Sequence, residues 1–72
     1  ESVMQQLFEF TRSEARLAIA LANGMSLDEI AVDMFVSRNT VRSHLRSAFQ
    51  KAGVSQQSAL VSLVLRSMVG MG

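Results

Sequence analysis

Three arginines at i, i+4 and i+8 (Arg38, Arg42 and Arg46) are the residues of this 72-residue chain best suited to a defined chemistry. A guanidinium is planar and permanently charged, and its fork of donors matches a phosphate or the O6/N7 edge of guanine. At helical spacing the three form one stripe, and Asn39, Ser43, Ser47 and Gln50 fill the face opposite Val41, Leu45, Ala48, Phe49 and Ala52. No acid stands among them. A solvated helix usually mixes signs at i, i+4, so a one-sign stripe draws its counter-charge from a partner. The plainer alternative is a set of arginines that only keeps the helix in solution.

Other chemistry is excluded by its missing parts. His44 is the sole histidine and there is no cysteine, so neither a metal-ligand set nor a disulfide can be assembled. No nucleophile–base pair or phosphate-binding glycine loop is present, which leaves no basis for an enzyme, a cofactor or a small-molecule ligand. His44 reads as a ring packed at a helix boundary, and Glu14 and Glu29 read as helix caps. The most apolar stretch, residues 59–65, is far below the ~20 residues a bilayer span requires. The expectation is a cytoplasmic protein with no membrane partner, cut from a longer chain.

Charge is segregated along the sequence. Six acids stand against Arg12 and Arg16 before residue 34, a balance of −4; five cations and no acid follow, a balance of +5. Such asymmetry favours a nucleic-acid or membrane-surface partner.

The elements that must position the arginines are helices throughout. Proline is absent and no β-branched run alternates. Thr11-Arg-Ser-Glu14 and Ser26-Leu-Asp-Glu29 are capping boxes, predicting helices over about 12–23 and 27–34. Asn23-Gly24 ends the first. Ser37 caps a third helix over about 38–52, stopped by Gly53, and Ser55 caps a fourth over about 56–69, with residues 70–72 frayed. Residues 1–10 form a short apolar arm, in which Val3, Leu7, Phe8 and Phe10 make one turn packed on the domain, with residues 1–6 ragged. The second and third helices are joined by Phe35-Val36-Ser37, the outline of a helix-turn-helix. The fold class is all-α: a compact four-helix domain over 11–69 behind that arm.

Residues 10–69 resemble the DNA-binding domain of LuxR-type (GerE-type) bacterial transcription regulators. The resemblance rests on Phe10-Thr11-x-x-Glu14, Gly24-Met25-Ser26-x-x-Glu29-Ile30-Ala31, Val36-Ser37-x-x-Thr40-Val41-Arg42-x-His44-Leu45 and Lys51-Ala52-Gly53-Val54. It implies sequence-specific binding of double-stranded DNA by the C-terminal output domain of a regulator, with the third helix in the major groove. It further implies that Arg42, Ser43 and Arg46 meet base edges, and that Met25, Ser26, Ser37, Arg38, Asn39, Thr40 and Lys51 meet the backbone. The fourth helix would dimerise on DNA through Val61, Leu65 and Met68, its second apolar face, unless residues 1–10 cover that face instead. RNA polymerase is a further candidate partner.

The chain departs from the family's habit at several places. Arg12 and Ser13 replace Pro and Arg, and Asp28 and Asp33 stand where cations are common, which removes possible phosphate contacts. Phe35 fills a turn position that is usually small or polar, and Ala52 replaces Leu. A sigma-factor promoter-recognition region shares the Glu-Ile-Ala, the serine cap and Thr-Val-Arg, but His44 and the Lys51-x-Gly53-Val54 ending favour the LuxR type. From a different class, a basic helical module binding an acidic protein would show the same stripe.

Overall fold

A computed structural model describes residues 8–71, with side chains through Ser67. Val3, Leu7 and the side chain of Met68 lie outside the described residues. Four helices carry the chain: α1 (Arg12–Ala22), α2 (Leu27–Met34), α3 (Arg38–Ala52) and α4 (Gln57–Met71). No strand occurs among the described residues.

Both capping boxes form as their spacing requires. Thr11 Oγ1 accepts the Glu14 amide at 3.2 Å while Glu14 Oε1 accepts the Thr11 amide at 2.8 Å. Ser26 and Glu29 repeat the exchange at 3.1 and 2.8 Å. Each box satisfies two amides that the first helical turn cannot pair internally.

The first three helices all end the same way. The amides of Gly24 and Met25 bond back to Leu21 and Ala20, those of Phe35 and Val36 to Val32 and Ala31, and those of Gly53 and Val54 to Gln50 and Phe49. These are Schellman motifs, each placing one residue in the left-handed region and an apolar residue after it. Met25, Val36 and Val54 accordingly pack against the core.

Of these three helix ends, only the second puts a residue other than glycine, Phe35, in the left-handed position. Its φ is +58° and its ring is 94% exposed. A side chain there costs roughly 1–2 kcal/mol, and this ring recovers none of it by packing. Phe35→Gly is therefore expected to stabilise the domain by about 1 kcal/mol, raising Tm in a thermal melt by roughly 4–8 °C. An unchanged or lowered Tm would mean that the turn relieves the strain elsewhere.

The core joins all four helices. Leu17, Ile30, Val41, Leu60 and Val64 are its largest fully buried side chains. α1 packs on α3 and α4, and α2 packs on α3, so α3 is gripped from two sides with its third side left outward. Phe10, the arm residue expected to pack on the domain, is a full core member at 3% exposure, its ring stacked on Phe8 with centroids 5.1 Å apart. At the other end α4 starts at Gln57 and continues through Met71, past the fraying expected from residue 70. Without proline each added residue still gains a backbone bond, and one glycine costs only about 1 kcal/mol.

Candidate nucleic-acid interface

α3 starts differently from α1 and α2. Ser37 Oγ accepts the Thr40 amide at 3.1 Å, but the residue reaching back is Thr40, whose hydroxyl lies 3.0 Å from Ser37 Oγ. No acid occupies the first turn. The positive end of the helix dipole, balanced by Glu14 in α1 and by Asp28 and Glu29 in α2, is unbalanced within α3. Such an end favours an anion. The Ser-x-x-Thr spacing carries that signal in the sequence, where Ser37 reads as a cap and, through the resemblance, Ser37 and Thr40 read as backbone contacts.

The outward face of α3 is polar and positive. Asn39, Arg42, Ser43, Arg46 and Gln50 are exposed, and their spacing makes them one continuous surface. Neither Arg42 nor Arg46 has an ion-pair partner among the described residues. Ser47, expected on this face, is instead half-buried, and its side chain helps hold the Glu14 carboxyl low. Thr40, His44 and Ser47 are half-buried, and with Lys51 they follow one edge of α3 at helical spacing.

That edge ends in an ion pair. Lys51 Nζ donates to Glu14 Oε1 at 2.6 Å, across 37 positions of sequence, and the Glu14 side chain is 4% exposed. Burial pushes the Glu14 carboxyl up, but the Lys51 ammonium, the Thr11 amide and the Ser47 side chain outweigh it, leaving the group below its ordinary value. One carboxylate therefore caps α1 and ties down the last turn of α3. Glu29, bonded by the amide and hydroxyl of Ser26, is lowered as well.

Two further pairs involve Asp28 and Asp33, two of the three acids of α2. Arg38 Nε lies 2.8 Å from Asp28 Oδ1, and Arg16 Nη2 lies 3.3 Å from Asp33 Oδ2. Both are exposed pairs, a kind that contributes little to stability. Met25 is half-buried and Ser26 exposed, at the N-terminal end of α2, so the turn expected to meet a phosphate is at the surface.

On α4, Val61 is half-buried against the core and Leu65 is 46% exposed. Part of the expected dimer face is thus occupied by the domain's own packing. Among the described residues no group of histidines and acids could hold a metal ion, and no helix is long and apolar enough to cross a membrane.

Four helices with a tight αα turn, and an unbalanced, acid-free third helix presented outward, define a helix-turn-helix domain. Residues 9–64 match the family of bacterial regulatory proteins of the luxR type. The chain belongs to that family: it is a DNA-binding domain of transcription regulation and not an enzyme. It is 42% identical over 57 residues to a probable transcriptional regulatory protein, SgaR, of Hyphomicrobium methylovorum, and 38% identical over 56 residues to the spore germination protein GerE of Bacillus subtilis. A probable transcriptional regulatory protein, NarL, of Mycobacterium tuberculosis is 35% identical over 46 residues. These alignments cover 79%, 78% and 64% of this chain and 27%, 76% and 21% of the respective relatives. No solved structure gives a significant match. Family membership decides between the LuxR-type and sigma-factor readings, in favour of the first.

Proposed function

We propose that the chain reads a specific double-stranded DNA sequence as the output module of a cytoplasmic bacterial transcription regulator, with α3 in the major groove. The observation that carries this is the outward face of α3. Arg42 and Arg46 stand there exposed and without an ion-pair partner among the described residues, on a helix whose N-terminal turn holds no acid.

In this reading Arg42, Ser43 and Arg46 meet base edges. Ser37, Arg38, Asn39 and Thr40 meet one phosphate run at the start of α3, and Met25 and Ser26 meet another at the start of α2. Lys51 adds to the backbone contacts with an ammonium already shared with Glu14, so its share is the smallest of the set. Leu65, supported by Val61 and Met68, is the centre of a self-complementary contact between two copies on DNA. Two-fold symmetry would then set half-sites about 34–36 Å apart. RNA polymerase is a further partner on a surface left free by DNA.

Selection of bound duplexes from a random pool tests the reading. A recurring half-site is expected, with log K falling linearly in log salt by about 0.9 per phosphate contacted. Pools that never converge, together with binding to an acidic protein surface, would replace it with the protein-interaction alternative.

A further inference from the structure

We infer that Asp28 is a positioning residue for DNA specificity, acting through Arg38. This rests on the DNA-reading assignment above. Asp28 stands in the first turn of α2 and Arg38 is the first residue of α3, so their pair ties together the starting turns of the two helices expected at the groove edge. The contact is made by Nε, at 2.8 Å from Oδ1. Holding an arginine by its inner nitrogen leaves the terminal nitrogens of the fork as donors, and the side chain stays 61% exposed. The carboxylate therefore fixes the stem without consuming the end that would meet an acceptor.

Two consequences follow for binding. On DNA out of register, only charge counts, and Asp28 cancels the cation that Arg38 would contribute to counterion release. At the correct site the fork meets a fixed acceptor, and a guanidinium already held in place loses less freedom on binding. Asp28 thus lowers affinity for unselected DNA more than for the site that uses the held geometry. In sequence the same residue reads only as a lost phosphate contact; the ion pair converts it into a discriminator. Asp33 has no comparable part, because its partner Arg16 belongs to α1.

Asp28→Ala, Arg38→Ala and the double variant test the inference by titration against the selected duplex and a random duplex over a range of salt. Thermal melts confirm that each variant is folded. Asp28→Ala is expected to strengthen random-duplex binding by roughly 3- to 10-fold and to steepen its log–log salt slope by about 0.9. Selected-site binding should strengthen clearly less, so the specificity ratio falls. In the Arg38→Ala background the same change should leave the ratio where it was. Asp28→Asn keeps an oxygen for Nε without the charge, and should retain more of the ratio than alanine does. Equal strengthening on both duplexes, an equal loss of ratio without Arg38, or identical ratios for Asn and Ala would each overturn the positioning role. A wild-type ratio near one would instead overturn the DNA-reading assignment itself, and this inference with it.

Discussion

Alanine at Arg42 or Arg46 is expected to cost about 1–3 kcal/mol on the selected site and to relax base preference at one position of each half-site. The size follows from what truncation removes. Each guanidinium is exposed and has no ion pair among the described residues, so it offers its whole fork to a partner, and a bidentate guanine contact is worth that much in discrimination. Fold stability should be unchanged within about 0.5 kcal/mol, because neither side chain contributes to the core. Lys51→Ala serves as the comparison. It should weaken selected and random duplexes by a similar factor, with a shallower salt slope. Equal losses on both duplexes for all three variants would show that Arg42 and Arg46 meet phosphates and that bases are read elsewhere.

Most of the scaffold that presents these arginines is legible in the sequence, because local chemistry decides it. Ser26 and Ser37 each sit one residue before a helix, and Gly24 and Gly53 sit at the left-handed position that follows one. Caps and stops of this kind act within six residues and need no tertiary information. What escapes is whatever depends on distant partners. The Glu14–Lys51 bond spans 37 positions, and no local pattern shows that Ser47 turns toward it and away from the outward face. Phe10 is different: its apolar type suits a turn packed on the domain, and the structure buries it to 3% exposure. For the interface, spacing singles out Arg42, Ser43 and Arg46 as outward, since an acid-free stripe can be read on a helical wheel. The engagement of Arg38 by Asp28 and of Lys51 by Glu14 could not be read that way, since ion pairing between helices depends on their crossing.

The Glu14–Lys51 bond also sets the largest expected effect on stability. Glu14→Ala removes the acceptor of the Thr11 amide and strands the Lys51 ammonium beside the space left behind. Loss of a capping contact costs about 1 kcal/mol, and breaking a mostly buried charged hydrogen bond adds about 1–3 kcal/mol. The total of roughly 2–4 kcal/mol is a large part of what a domain this size possesses, about 0.05–0.15 kcal/mol per residue. Glu14→Gln, which keeps an acceptor for the amide, should lose about half as much by chemical denaturation. The same bond fixes the sign of the pH dependence. The folded Glu14 carboxyl titrates below its ordinary value of 4.5, so the bond contributes fully above that pH and is lost as pH falls through the folded value. Lys51→Met weakens this dependence, because the carboxyl then loses its largest counterweight to burial and keeps only the Thr11 amide and the Ser47 side chain. Denaturation midpoints followed from pH 7 down to pH 3 should therefore fall more steeply for the wild type than for Lys51→Met. Glu29, also lowered by its cap, keeps some acid sensitivity in both. Parallel curves would show that the ammonium is not what holds Glu14 ionised, and that the last turn of α3 is fixed by packing alone.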